Sequence, residues 1–114
     1  MSLSARNWAW AIEEVHHRKI KPGEKLVLLC LAELENTELG YSFPNQETIA
    51  KWTSQSTRTV REHLASLELV GAFAIEKRRS PGGRWPHNVY VLNVPNEFRD
   101  DDPEWIRNHG WNVA

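Results

Sequence analysis

Ser56, Thr57, Arg58, Thr59, Arg61 and Glu62 fall within seven consecutive positions. They offer hydroxyls, two guanidinium forks and a carboxylate. Val60 lies among them, and Val60, Leu64 and Leu67 recur at i, i+4 and i+7. On a helix this spacing gathers the apolar side chains into one stripe and sends Thr57, Arg58 and Arg61 outward, with Glu62 beside them. Thr59 faces either inward or toward a phosphate. Donors on the outer face of a helix's first turns suit base edges and phosphates. An arginine pairs two donors with guanine, and a helix N-terminus attracts phosphate.

A second basic group follows. Lys77, Arg78, Arg79 and Arg84 flank Gly82 and Gly83. Glycine here lets the backbone approach a phosphate closely; a solvated loop that aids solubility would look the same. The whole chain has a net charge of only −1, but the charge is unevenly spread. Residues 51–90 carry seven basic and three acidic groups, residues 1–50 five and seven, and residues 91–114 two and five. Positive charge therefore gathers where both donor groups lie, and the local field is what an anionic partner meets.

Flanking elements must hold these donors. A helix is expected over residues 4–19, capped by Ser4, with Trp8, Ile12 and Val15 as its stripe and Trp10 and His17 off it. Lys21-Pro22-Gly23-Glu24 is a helix start, with proline at the first helical position and an acid at the positive end of the dipole. Leu26, Leu29, Cys30 and Glu33 share one side of that helix, and Val27, Leu28, Leu31 and Leu34 widen its apolar surface, as expected of a central buried helix. Asn45 caps the next helix, with Gln46 and Glu47 in its first turn. That N-terminus is a second phosphate site, with Asn45 and Gln46 as its candidates. Ile49, Ala50 and Trp52 point inward. Thr53-Ser54-Gln55 is a turn and Ser56 caps the donor helix, which ends at Gly71. Strands are expected over 73–78 and 89–94 around Ser80-Pro81-Gly82-Gly83. A short helix is expected over 102–108.

An isolated amphipathic helix with a solvated charged face would also explain residues 56–70. The capped helix before it, the three-residue turn and the basic hairpin after it favour a double-stranded DNA reader instead. Residues 22–94 resemble the winged helix-turn-helix domains of bacterial, phage and plasmid proteins, especially the replication-initiator-like and phage-replisome group. The resemblance is carried by residues 22–29, 44–50 and Ser56-Thr57-Arg58-Thr59-Val60-Arg61 with Leu64 and Leu67, then Gly71 and Asn88-Val89-Tyr90-Val91-Leu92. It implies that residues 56–70 form the recognition helix and the hairpin tip a wing. The turn position where that family usually has glycine is Ser54, where a positive φ would strain a serine modestly.

The expected architecture is mainly α with a small β-hairpin: one winged-helix domain with a core over 22–94, an N-terminal helix and an acidic, tryptophan-bearing extension over 95–114. Six tryptophans are present; Trp8, Trp10, Trp105 and Trp111 lie outside the resemblance. Two readings stand: the termini pack together, or they form a homodimer interface. Trp52 is expected in the core. His16, His17, His63, His87 and His109 lack the spacing of a metal site, and Asp100-Asp101-Asp102 reads as a solvated acidic tail. No catalytic set or cofactor motif is present. Cys30, the single cysteine, reads as a buried small hydrophobe in a reducing cytoplasm. No apolar run reaches the roughly 18 residues of a membrane span. The functional expectation is duplex DNA binding, by a transcription regulator or a replication initiation protein. The alternative is a winged helix used as a protein-interaction module.

Overall fold

The computed structural model describes residues 2–79, 83 and 86–109. Three helices form its centre: α2 (Pro22–Glu33), α3 (Gln46–Thr53) and α4 (Thr57–Leu69). Helix α1 (Leu3–Ala11) and the strands β1 (Glu14–Val15) and β2 (Arg18–Lys19) precede them. Strands β3 (Phe73–Arg78) and β4 (His87–Leu92) and helices α5 (Asn96–Arg99) and α6 (Pro103–His109) follow.

Local signals explain the central boundaries. Pro22 opens α2, and the Glu24 carboxylate reaches back to accept from the Lys21 backbone N–H at 3.0 Å, filling an otherwise open donor. The Asn45 side chain accepts from Thr48 N at 2.8 Å, and the Ser56 hydroxyl from Thr59 N at 3.1 Å. Gly71 leaves α4 at φ +87, where a side chain would be strained. One apolar cluster joins Val27, Leu28 and Leu31 of α2, Ile49 of α3, Val60, Leu64 and Leu67 of α4, and Phe73, Tyr90 and Leu92 of the hairpin. α2 is its middle, although Leu26 on its rim stays 46% exposed.

β3 and β4 pair antiparallel from Phe73↔Leu92 to Arg78↔His87. β4 thus starts two residues before the expected Val89, because Asn88 and His87 still have partners in Lys77 and Arg78. Its other edge is also used: Ser42 and Tyr90 exchange both backbone hydrogen bonds, at 3.0 and 2.7 Å. This bridge ties the loop between α2 and α3 to the hairpin.

Three expectations need correction. The first helix does not run to Lys19 and its cap is Ser2, not Ser4. It ends at Ala11, and residues 14–19 turn back through His16 and His17, both at positive φ (48° and 68°). The Lys25 ammonium of α2 donates to the carbonyls of Trp10 (2.6 Å) and Ile12 (3.1 Å), satisfying the helix end from outside. Trp52 is not in the core; it is 55% exposed. The acidic tail is not wholly solvated, because Asp102 is buried and accepts from Ser4 N (2.9 Å) and Ser4 Oγ (2.6 Å). The helix expected over 102–108 forms as α6 (Pro103–His109), and a further short helix, α5 (Asn96–Arg99), precedes it.

The described ends do pack together. Arg99, buried at the end of α5, donates through two nitrogens to the buried Glu35 carboxylate at 2.8 and 2.9 Å, and to Ser4 Oγ at 2.8 Å. Its guanidinium lies 3.4 Å from the centre of the Trp105 ring. A buried carboxylate and guanidinium are tolerated because each has a charged, hydrogen-bonded partner. Burial alone would raise the Asp102 pKa, but its bonds from Ser4 and Trp105 N and the nearby Arg99 outweigh this and leave it lowered. Trp8 and Trp105 are thereby buried within the chain, whereas Trp10 is 66% exposed. Trp111 lies outside the described residues.

Candidate nucleic-acid interface

α4 is held from behind. Val60, Leu64 and Leu67 are buried, and Thr57, Arg58, Arg61 and Glu62 take the opposite side, as the 3.6-residue period requires. Arg58, Arg61 and Glu62 are exposed, and Thr57 and Thr59 half-buried. Ser56 Oγ also lies 2.9 Å from Thr59 Oγ1, so Thr59 belongs to the cap instead of the core. Arg58 and Glu62 approach at 3.9 Å across one turn, an exposed pair that contributes little to stability and leaves the guanidinium available.

The turn before α4 is tight because Ser54 takes the left-handed conformation, φ 55 and ψ 41. This is the position where the sequence resemblance calls for glycine, and serine adopts the same backbone. Gln55 then donates to the Gly23 carbonyl at 3.3 Å. A side chain at Gly23 would meet His63 Nε2 at 2.6 Å and Gln55 Oε1 at 2.9 Å. The missing Cβ therefore seats the first turn of α2 against both the turn and α4. Nothing in the local pattern around Gly23 announced this role.

A polar anchor acts at the other side of α2. Arg18 of β2 donates to Glu24 at 3.1 and 2.6 Å and to Ser66 Oγ of α4 at 2.8 Å. Burial pushes the Glu24 carboxyl up, but the Arg18 guanidinium, the Lys21 N–H and the Ser66 hydroxyl pull harder and hold it at about 2. In turn the hydrogen bond to Glu24, with that carboxylate's charge, raises the Arg18 pKa against the opposing effect of burial. The anchor fixes the small hairpin, α2 and α4 relative to one another.

Four of the predicted contact residues, Asn45, Gln46, Thr57 and Arg61, meet along one groove of about 610 Å³, whereas Ser56, Arg58, Thr59, Glu62, Lys77, Arg78 and Arg79 are not among its lining residues. Asn45, Gln46 and Glu47 of the α3 N-terminus line it, with Thr57 and Arg61 of α4 and with His87, Asn88 and Tyr90 of β4. Arg61 Nε donates to Gln46 Oε1 at 3.3 Å, so the two helices are coupled at their polar ends. His87 and Asn88 were not singled out from the sequence as contact candidates. They precede the strand expected from Val89, and nothing in the local pattern showed that the start of β4 would line a groove with α3 and α4. Phe43 also lines the groove, its ring 5.8 Å from that of His87.

Lys77, Arg78 and Arg79 are all exposed, and Lys77 and Arg78, consecutive in β3, point to opposite faces of the hairpin. Arg78 is partly engaged: it donates to Glu76 at 2.7 Å and lies 5.2 Å from the centre of the Tyr41 ring. The bond to Glu76 is also the main cause of its raised pKa. Gly83 is half-buried, while Gly82 and Arg84 lie outside the described residues. Burial alone pushes the Cys30 thiol up to about 11, so it is no nucleophile at neutral pH. Among the described residues no three His, Cys, Asp or Glu side chains are placed to hold a metal ion, and no helix is long and apolar enough to cross a membrane.

Residues 18–71 match the family profile of a helix-turn-helix domain. The match begins at Arg18, the residue bonded to buried Glu24, takes in α2, α3, the Ser54 turn and α4, and stops at Gly71 before the hairpin. It supports a helix-turn-helix DNA-binding domain over that stretch. No curated protein and no solved structure gave a match.

Proposed function

We propose that this chain is a winged helix-turn-helix protein that reads double-stranded DNA without catalysing a reaction. The observation that carries this reading is the shared groove, in which the α3 N-terminus, Thr57 and Arg61 of α4 and the start of β4, at the tip end of the β3–β4 ladder, converge. α4 enters the major groove, with Thr57, Arg58 and Arg61 toward base edges and Ser56, Thr59 and Glu62 beside them. Asn45 and Gln46 present the α3 N-terminus to a phosphate, and His87 and Asn88 add donors from the strand. The hairpin is the wing, with Lys77, Arg78 and Arg79 on the DNA backbone and the tip residues Gly82, Gly83 and Arg84 extending that contact. The winged form is supported by the Ser42–Tyr90 bridge, which makes the loop before α3 a third partner of the hairpin.

Such a protein acts as a transcription regulator or as the origin-binding part of a replication system, in a cytoplasm. A salt titration of duplex affinity tests the reading. With five or six phosphates neutralised, log affinity falls against log salt with a slope of about −4 to −6. Absence of binding to any duplex at low salt refutes it. The second reading, a winged helix used as a protein-interaction module, is favoured by a different observation: Trp10 and Trp52 are exposed and line a depression that shares no residue with the groove.

A further inference from the structure

We infer that the face formed by Trp10, Leu26 and Trp52 joins two copies of this chain. These three side chains are 66%, 46% and 55% exposed, yet they line one depression of about 330 Å³ between α1, α2 and α3. Leu29, Cys30 and Thr53 complete it, with Arg6 and Glu33 as its charged members. None of these residues lines the groove at the α4 N-terminus. Both surfaces are therefore available at once.

Two features select a second copy over another partner. The first is charge. Arg6 and Glu33 carry one charge of each sign and pair at 3.1 Å. Turned through a two-fold axis, such a patch meets its own complement, as an interface between identical copies demands. A strongly acidic or basic partner would find no matching excess here. The chain's net charge of −1 sets up no long-range repulsion between copies. The second is area. The two tryptophans and Leu26 leave on the order of 300–400 Å² of apolar surface open. That is the apolar centre of an interface of about 800 Å² per partner, with Arg6 and Glu33 on its rim. A patch of this size gives a weak, reversible dimer, with a Kd on the order of 10–100 μM. Two adjacent DNA half-sites would strengthen it by raising the effective concentration.

Sedimentation of the whole chain without DNA tests this, so its failure is separable from failure of the DNA reading. The weight-average mass is expected to rise from 13.2 kDa toward twice that value as concentration passes through the Kd. Trp52→Glu and Trp10→Glu, each with its helical circular dichroism retained, are expected to weaken association at least about tenfold. Arg6→Glu and Glu33→Arg are expected to associate poorly alone and to recover when mixed. A mass that stays monomeric to about 500 μM leaves the face to some other protein and overturns the inference. So does a dimer indifferent to both tryptophan variants.

Discussion

Replacing Glu24 by glutamine probes the anchor that sets α4 against α2. The carboxylate is buried, with 1% of its surface exposed, and accepts from two Arg18 nitrogens and from Lys21 N. Burial works against its charge, and those donors more than compensate, holding its pKa at about 2 against an ordinary 4.5. Because the folded value is the lower one, the folded state gains stability as the group ionises. The gain is fully present above about pH 4.5 and is lost as pH falls through about 2. Its size follows from 1.36 kcal/mol per pH unit, which gives about 3 kcal/mol. Glutamine keeps one acceptor but turns an amide NH2 toward the Arg18 donors, so Glu24→Gln is expected to cost about 2–4 kcal/mol at pH 7. Urea unfolding followed by circular dichroism at steps between pH 7 and 2 gives both curves. The gap between the proteins is expected to shrink below about 1 kcal/mol near pH 2, as Glu24 itself becomes neutral. A gap that stays constant over the whole range would refute the assignment, because it would mean that the charge on Glu24 is not what the anchor uses.

Arg61→Ala is expected to weaken binding to a selected duplex by about 1–3 kcal/mol and to relax preference at one position, and Arg58→Ala likewise; equal losses on all sequences, measured by fluorescence anisotropy, would assign them to phosphates. Arg78→Ala combined with Arg79→Ala is expected to make the salt slope about two units shallower, and an unchanged slope would remove the hairpin from the contact surface. Ser54→Gly is expected to raise stability by about 0.5–1 kcal/mol in thermal unfolding, since φ 55 strains a serine and not a glycine; a loss would mean that the serine side chain stabilises the turn. Glu35→Ala is expected to cost about 3–5 kcal/mol by leaving the Arg99 guanidinium buried without its carboxylate, and a cost below about 1 kcal/mol would show that the C-terminal segment is not locked to the core.

The central helices were legible because their signals are short-range. Pro22, Asn45, Ser56 and Gly71 act through hydrogen bonds or backbone angles within a few residues, so a single sequence carries them. The stripe Val60, Leu64 and Leu67 likewise fixed which side of α4 holds the donors. The N-terminal helix misled for the complementary reason. Trp8, Ile12 and Val15 keep helical spacing, but a lysine of the next helix closes the chain at Ile12, and two histidines make a turn with no glycine or asparagine to mark it. Trp52 misled because an aromatic residue at an inward spacing reads as core, while its exposure depends on which neighbours arrive over it.

What the sequence by itself determined is therefore local: the helix-turn-helix with its caps, the outward donors Thr57, Arg58 and Arg61, and the basic hairpin. What only the tertiary structure decided is where distant polar groups meet. Ser4 and Asp102 are 98 positions apart and Glu35 and Arg99 are 64 apart, yet both pairs are buried together. His87 and Asn88 join Arg61 and Gln46 in one groove, while Trp10 and Trp52 share a second depression with no residue in common with it. Charged residues read as solvated until a partner is placed beside them, because the cost of burying a charge depends on the partner and not on the residue.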